Sequence, residues 1–273
     1  SAKKNSKIFF QKPAFSSMKI LCVSDQIDPL VYSSLAKERF ASVDAILCAG
    51  DLPSDYIDFI VSTLNKPAFF IFGNHNLTEF RYYHKQKKAH KGAHPTLRQE
   101  ISILDMKGSF GATYAGFKNL RDKHLLIEDS KTHKIRPLLI SGVSGSMRYN
   151  NGLNQYTERQ MKIALLKMVP GLLWNKIRYG KYLDIFLTHA SPRHIHDKED
   201  PCHRGFECFN WFIKKFAPSY LIHGHIHLYD ANDQRITAVK SSGKAETLVI
   251  NAYSHIVLNL FASPENAIGE SNV

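Results

Sequence analysis

Five short apolar runs recur along the chain, and each has the length and composition of a buried β-strand. Helical patterns over Tyr32 to Arg39 and Tyr56 to Leu64 separate the first three runs, so the chain opens as β-α-β-α-β. That order favours a layered α/β fold in which helices cover a sheet. The five predicted strands are Lys19 to Val23, Asp44 to Cys48, Ala68 to Phe72, Leu183 to Leu187 and Tyr220 to Ile222.

The remaining patterns predict two longer helices and a β-rich C-terminal third. Tyr156 to Met168 is amphipathic and is predicted to stop at Pro170-Gly171. Gly205 to Phe216 carries five aromatic side chains largely on one face, which indicates a core-facing helix rather than a stacking platform. The predicted C-terminal strands are Ile236 to Val239, Thr247 to Ile250 and Ile256 to Phe261.

The composition of the 273 residues suits one globular domain, because 44% are apolar and 11% aromatic. We expect a basic extension over residues 1–17, a domain over 18–262 and a polar tail over 263–273. There is no run of eighteen apolar residues and no signal-peptide core, so we expect neither a membrane span nor a membrane partner. Four scattered cysteines favour a reducing, cytoplasmic location. No pattern specifies an oligomeric state.

Positive charge is clustered in two segments. The formal charge is +12, from 36 basic and 24 acidic side chains. Six basic residues and no acid lie between Glu79 and Glu100, and six more lie from Arg159 to Lys181. Such fields attract nucleotides, nucleic acid or other polyanions, although a solvated surface in a basic protein explains them equally well.

Polar side chains follow each of the five buried runs at the point where it ends. In layered α/β proteins the carboxyl ends of the strands line the crevice where ligands bind. A single strand-end aspartate or histidine is common in turns, but five in series are hard to explain by packing alone. The strand-end groups are Ser24-Asp25, Gly50-Asp51, Gly73-Asn74-His75, Thr188-His189 and Gly224-His225-Ile226-His227.

In this order, the strand-end groups resemble the motifs of the calcineurin-like metallophosphoesterases. The resemblance runs from about Lys19 to Tyr229, and its Gly-Asn-His and Gly-His-x-His elements are specific. It implies a single-domain four-layer α/β/β/α sandwich of two facing mixed sheets. It also implies a centre of two divalent metal ions at one edge of the sandwich.

The resemblance assigns a role to each strand-end side chain. Asp51 would bridge both metals, Asp25 and His227 would hold the first, and His75 would act as general acid or orient the phosphate. The second metal would take Asn74, His189 and His225. Mixed nitrogen and oxygen ligands suit Mn, Fe, Zn, Co or Ni. The implied reaction is hydrolysis of a phosphate ester by a metal-bound hydroxide.

The chain departs from the family pattern at two positions. The first motif is usually Asp-x-His, but here Ile27 replaces the histidine, so the first metal loses a ligand unless Gln26, Asp28 or water substitutes. We therefore expect the first site to bind its metal weakly. The third motif usually ends in an acid, and here it ends in Asn76, which affects only the tuning of the site.

Two loops supply candidate substrate-binding residues. Arg148 lies in a Gly- and Ser-rich loop, and His203 and Arg204 precede the aromatic helix, whose N-terminus is a further candidate for phosphate. An ordinary role in a surface loop or at the start of a helix explains the presence of these residues equally well. The basic surface favours a phosphodiester, a nucleotide or another phosphorylated small molecule as substrate.

Two alternatives stay open. The first is a metal-containing binding protein for nucleotides or nucleic acid with little turnover, which Ile27 favours and His75 opposes. The second is a metallo-β-lactamase-like hydrolase, which is disfavoured because the His-x-His-x-Asp-His run is absent.

Overall fold

The computed structural model describes residues 18–84, 111–128, 133–150, 152–230, 233–241 and 245–261. Within these residues, five strands form a first mixed sheet: β1 (Met18–Ser24), β2 (Ala45–Cys48), β3 (Ala68–Phe70), β4 (Thr113–Tyr114) and β13 (Ser254–Leu260). Their order is β13-β1-β2-β3-β4. β1, β2, β3 and β4 run parallel, so their carboxyl ends meet at one edge, and β13 is antiparallel to β1.

A second sheet of six strands faces the first. It comprises β5 (Lys118–Glu128), β6 (Ile135–Gly142), β9 (Ile185–Leu187), β10 (Tyr220–His223), β11 (Ile236–Lys240) and β12 (Glu246–Asn251). Their order is β11-β12-β10-β9-β6-β5, with β6, β9, β10 and β12 parallel. A short pair of strands, β7 (Ser146–Met147) and β8 (Gln155–Tyr156), lies outside both sheets.

Helices cover the outer face of each sheet. The described helices are α1 (Ala36–Arg39), α2 (Ser54–Leu64), α3 (Phe80–Tyr83), α4 (Glu158–Tyr179) and α5 (Glu207–Phe216). One apolar cluster joins α1 and α2 to the first sheet, a second lies between the sheets, and a third joins α4 and α5 to the second sheet. Three stacked cores separate four layers, which confirms the predicted α/β/β/α sandwich in a single domain.

Alternation along β1 shows why its sequence reads as a continuous apolar run. Ile20 and Cys22 pack between the sheets, while Leu21 and Val23 pack under the helices. Successive strand side chains point to opposite faces, and here both faces are buried. Each such side chain stabilises the fold by about 1.5–3 kcal/mol through burial.

All the strands predicted from the sequence are confirmed within one or two residues at each end. The helix predicted over Tyr32 to Arg39 is shorter, because only α1 (Ala36–Arg39) is helical. The structure adds β4, β5, β6, β7 and β8, none of which is among the strands predicted above. Among the helices that the structure describes, none combines the length and the hydropathy of a membrane-spanning segment. The extension over residues 1–17 and most of the first basic cluster lie outside the described residues.

The prediction that the helix after Tyr156 stops at Pro170-Gly171 is wrong. α4 continues through the proline to Tyr179 and ends at Gly180, which adopts the left-handed conformation with φ of +74°. A glycine in this conformation is a common helix terminator because it has no Cβ to clash. The continued helix buries Leu172 against the second sheet, which offsets part of the roughly 3 kcal/mol that proline costs inside a helix.

Side chains of β5 support the helix on both sides of Pro170. Asn119 Nδ2 donates to the carbonyl of Met168 at 2.9 Å, and Arg121 Nη2 donates to the carbonyl of Gly171 at 3.3 Å. Proline has no N–H, so the carbonyl that loses its helical donor is that of Leu166, four residues earlier. The two bonds from β5 act on neighbouring carbonyls and fix this part of α4 against the second sheet. The long-range contacts with β5 cannot be read from the local helical pattern.

Candidate metal centre

The strand-end groups converge at one edge of the sandwich. Ligand atoms of Asp51, His189 and His225 all lie within 4.8 Å of one another, and all three side chains are buried. Among the described residues this is the one group of three or more His, Cys, Asp or Glu side chains with that geometry. The loops after β2, β9 and β10 supply them, as the parallel strand order predicts.

Two glycines make room for this cluster. Gly50 adopts φ of +101°, and a Cβ there would lie 2.5 Å from Nδ1 of His189. A Cβ on Gly73 would overlap the carboxylate of Asp51 and the ring of His189. The close approach of two backbone turns to the aspartate and the imidazole therefore requires glycine at both positions.

Each buried imidazole has one nitrogen fixed by a backbone carbonyl. Nδ1 of His189 donates to the carbonyl of Ala49 at 2.9 Å, and Nε2 of His225 donates to the carbonyl of Cys202 at 2.7 Å. A carbonyl oxygen can only accept, so these bonds set which nitrogen carries the proton. The other nitrogen of each ring is thereby the one that a metal ion would take, as in metal-binding histidines of proteins.

The free nitrogen of His189 faces oxygen acceptors. Its Nε2 lies 3.2 Å from Oδ1 of Asn74 and 3.2 Å from Oδ2 of Asp51. A neutral His189 would place three lone pairs against one another in a buried space, so the arrangement requires a cation or a proton among them. This donor set fits a divalent metal ion held by nitrogen and oxygen ligands.

The pKa shifts in the cluster also indicate that a positive charge is favoured beside Asp51. Burial disfavours a charged His189 ring, but the Asp51 carboxylate outweighs burial and raises the pKa of His189. Burial also opposes an ionised Asp51, yet His189 and the N–H of His75 hold its pKa below the ordinary value. Burial and the nearby His189 lower the pKa of His225, which keeps that ring neutral and able to coordinate.

The segment after β3 holds Asp51 in place. The backbone N–H of His75 donates to Oδ1 of Asp51 at 2.7 Å, and Nδ2 of Asn76 donates to its carbonyl at 3.0 Å. Asn76, which replaces the usual acid, thus fixes the turn that carries the aspartate. The side chain of His75 is exposed beside the cluster.

The two side chains predicted for the first metal lie outside the group of three. Asp25 accepts from the backbone N–H of His225, and burial raises the pKa of Asp25. Nδ1 of His227 forms a hydrogen bond with the Tyr229 hydroxyl at 2.7 Å, and its ring lies 4.9 Å from that of Tyr253. The structure therefore gathers the ligands predicted for the second metal more closely than those predicted for the first.

Asp28, considered from the sequence as a substitute for the missing histidine, has other partners. Its carboxylate contacts Nδ1 of His255 at 2.6 Å and the hydroxyl of Ser254. Ile27 itself is 44% exposed. The Asp28 carboxylate therefore binds two side chains of β13. Of the two side chains that could replace the missing histidine as a metal ligand, only Gln26 is left.

Two residues that the sequence analysis does not single out position the third motif. Nδ2 of Asn154 donates to the carbonyl of Gly73 at 2.6 Å and to that of Phe72 at 3.3 Å. The hydroxyl of Tyr149 accepts from Nδ2 of Asn74 at 3.2 Å, which directs Oδ1 of Asn74 toward His189. Tyr149 adjoins Arg148 in a loop already noted in the sequence, whereas no local signal marks Asn154.

The predicted substrate-binding residues lie around the same loops. His203 lies beside His225, with ring centroids 5.4 Å apart, and its Nδ1 contacts the Asp200 carboxylate at 2.9 Å. Arg148 and Arg204 are exposed and line one cavity of about 370 Å³. Three carboxylates, those of Glu158, Glu199 and Glu207, line the same cavity, so its lining does not by itself favour a phosphate.

The N-terminus of α5, the other candidate for phosphate, has a different partner. The carboxylate of Glu158 accepts from the backbone N–H groups of Glu207 and Cys208 at 3.1 and 2.6 Å. A carboxylate satisfies the helix N-terminus in the way that a phosphate would. The expected phosphate site at this helix end is therefore filled by the protein itself.

A comparison with known families settles where the chain belongs. The calcineurin-like phosphoesterase family matches residues 18–229, most of the chain. The chain belongs to this family. Its members are metal-dependent phosphoesterases that bind divalent metal ions, in agreement with the cluster around Asp51. None of the curated proteins matches the chain.

Two solved structures have a fold similar to that of this phosphoesterase chain. TT1561 of Thermus thermophilus has a TM-score of 0.50 and 15% sequence identity, over 90% of this chain and 95% of that one. A second structure has a TM-score of 0.53 and 12% identity, over 89% and 95% of the two chains. At these identities the likeness extends to the fold alone.

Proposed function

We propose that the chain hydrolyses a phosphodiester or a nucleotide with the help of two divalent metal ions of unequal affinity. The observation that carries this proposal is the buried cluster of Asp51, His189 and His225, in which backbone carbonyls orient both rings. With Oδ1 of Asn74, it offers four donors to one ion. Such ions, when bound, polarise the phosphoryl oxygens and activate a water nucleophile.

The residues assigned to the first ion are Asp25, Asp51 and His227. Asp51 would be shared with the second ion, and its second carboxylate oxygen already accepts from the N–H of His75. Asp25 is near enough to Asp51 and His189 for their charges to affect its pKa. With Ile27 in place of a histidine, this set has one ligand fewer, which supports weaker binding at the first site.

The side chain of His75 is the proposed general acid. Its backbone is anchored to Asp51, so the imidazole stands at the exposed side of the cluster where a leaving group departs. It would donate a proton to the leaving oxygen as the ester bond breaks. His203, oriented by Asp200, would contact the substrate beside His225. Arg148 and Arg204 would reach its non-reacting part from a cavity that they share with three glutamates.

A binding protein with little turnover is the second candidate function. The position of Asp25 and His227 outside the group of three supports it, because a centre with one tightly held ion binds a phosphate without the second ion that hydrolysis uses. The exposed His75 imidazole favours the enzyme, since a pure binder has no need of a leaving-group acid.

One experiment separates the two candidates. Metal analysis of the purified protein is combined with a panel of chromogenic phosphomonoesters and phosphodiesters, each tested with and without added Mn²⁺. The enzyme hypothesis predicts turnover that rises with Mn²⁺ and is greater for diesters. Tight binding of a nucleotide without turnover at any metal concentration would identify a binding protein.

A further inference from the structure

A row of apolar side chains runs along the solvent face of α4. We call it the α4 ridge: Ile163, Leu166, Leu173, Trp174 and Ile177. Trp174 is 57% exposed and Ile177 is 80% exposed. Leucine, isoleucine and tryptophan in one exposed row form a larger apolar surface than scattered single residues, and such surfaces mark interaction sites.

The geometry of the helix places the α4 ridge opposite the core-facing side. Successive residues of an α-helix are about 100° apart, so Leu166, Leu173 and Ile177 share one face. Leu165 and Leu172 lie on the other side and are fully buried. From the first to the last residue the ridge is about 21 Å long, at 1.5 Å per residue. The second basic cluster found in the sequence surrounds this ridge.

Basic side chains flank the α4 ridge on both sides. By the same 100° spacing, Lys162 and Lys176 lie along one side and Lys167 and Arg178 along the other. The single acid of the helix is Glu158, whose carboxylate is already bound by backbone N–H groups of α5. The ridge therefore presents an apolar strip between two rows of positive charge.

We infer that the α4 ridge binds to the surface of an anionic lipid bilayer. An interfacial helix inserts leucine, isoleucine and tryptophan among the lipid chains while flanking lysine and arginine side chains reach the headgroups. Apolar insertion and charge attraction together give stable attachment where one alone is weak. Surface attachment needs no membrane span, so this inference replaces the expectation of no membrane partner.

The charge pattern disfavours the other occupants of the α4 ridge. A second copy of the chain would set one row of lysines against another, and like charges repel. A nucleic-acid backbone would match the lysines but offers no apolar complement to Leu166, Leu173 and Ile177. An anionic bilayer matches both features, and the inference stands whether or not the chain hydrolyses a phosphate ester.

Sedimentation with lipid vesicles tests the inference. The full chain is mixed with vesicles of phosphatidylcholine alone or with phosphatidylglycerol added at about one part in four. We expect binding to the anionic vesicles only, weakening as salt is raised. The double variant Trp174→Gln with Ile177→Gln should bind at least about tenfold more weakly. Lys162→Gln with Lys167→Gln should also weaken binding about tenfold.

The matched control removes exposed apolar side chains elsewhere. Leu35→Gln with Leu126→Gln changes residues that are 56% and 45% exposed, and its vesicle binding should equal that of the unmodified chain. All the variants change exposed side chains, and circular dichroism with thermal unfolding verifies that each is folded.

The emission of Trp174 reports insertion directly, as the difference between the unmodified chain and Trp174→Phe. We expect it to move to shorter wavelengths with anionic vesicles. The inference is overturned if neither kind of vesicle sediments the chain, or if the ridge variant binds as well as the control. A third result would also overturn it: light scattering shows that the unmodified chain is a dimer and the ridge variant a monomer, and neither protein binds vesicles.

Discussion

The backbone N–H of His225 donates to both carboxylate oxygens of Asp25, at 3.0 and 2.9 Å, across 200 residues of sequence. Asp25 follows β1 in the first sheet, and His225 follows β10 in the second. The contact therefore joins the two sheets at the edge where the candidate metal centre lies. Asp25 thus has a structural task in addition to its proposed role as a metal ligand.

Removing this carboxylate is expected to destabilise the metal-free protein. Asp25→Ala leaves the buried N–H of His225 without its acceptor, and we expect the free energy of unfolding to fall by about 1–3 kcal/mol. Asp25→Asn keeps one side-chain oxygen and should lose less. Urea unfolding of chelator-treated protein measures both, with the exposed Asp58→Ala as control. A loss equal to that of the control would show that the contact contributes nothing.

The Asp28 carboxylate is expected to make stability depend on pH in acid. Burial acts against its charge, but the hydrogen bonds from His255 and Ser254 outweigh it and hold the pKa of Asp28 well below its ordinary value. A folded-state pKa below the unfolded value stabilises the fold above about pH 4, and this contribution is lost as the pH falls further. Asp28→Asn should therefore be less stable by about 1–3 kcal/mol at pH 7.

The difference between the unmodified chain and Asp28→Asn should shrink at pH 3, because the unmodified carboxylate begins to lose its advantage there. Urea unfolding at both pH values measures it. A difference that is the same at pH 3 and pH 7 would mean that charge on Asp28 is not what stabilises this contact.

His75→Ala is expected to lower kcat while leaving the metal content unchanged. Loss of a positioned general acid typically costs about 10²–10⁴-fold in rate. The loss should be smallest for nitrophenyl esters, because a good leaving group departs without a proton. Rates for esters of graded leaving-group pKa, measured beside metal analysis, provide the test. An equal loss for good and poor leaving groups would exclude His75 as the acid.

Ile27→His is expected to tighten the first metal site. Asp28 is held by His255, so the first ion keeps only Asp25, Asp51 and His227 as assigned protein ligands. A new imidazole should move the activation of hydrolysis by Mn²⁺ to lower metal concentrations. Ile27→Gln, which changes polarity without adding an imidazole, is the control. Activation curves that coincide for the unmodified chain and Ile27→His would refute this account of position 27.

The sequence predicts the strands that carry the site and the groups at their ends, because both depend on local patterns. Asp51 and His189 follow buried runs. The carboxyl ends of parallel strands lie at one edge of the sheet, whatever the sequence of the segments that connect the strands. Contacts made across the fold leave no such pattern. Asn154 bonds backbone groups about eighty residues away, and Glu158 caps a helix about fifty residues away. The bonds from β5 to α4 on both sides of Pro170 likewise join residues about fifty positions apart.

The central claim is that Asp51 holds metal ions on which hydrolysis depends. Asp51→Asn keeps the size of the side chain and removes the negative charge that both ions would share. Hydrolysis of a nitrophenyl phosphodiester is measured for the unmodified chain, the chain with EDTA, and Asp51→Asn with excess Mn²⁺. We expect turnover only in the unmodified chain without chelator, and recovery when Mn²⁺ is returned to it. Full turnover in EDTA or in Asp51→Asn would contradict the claim.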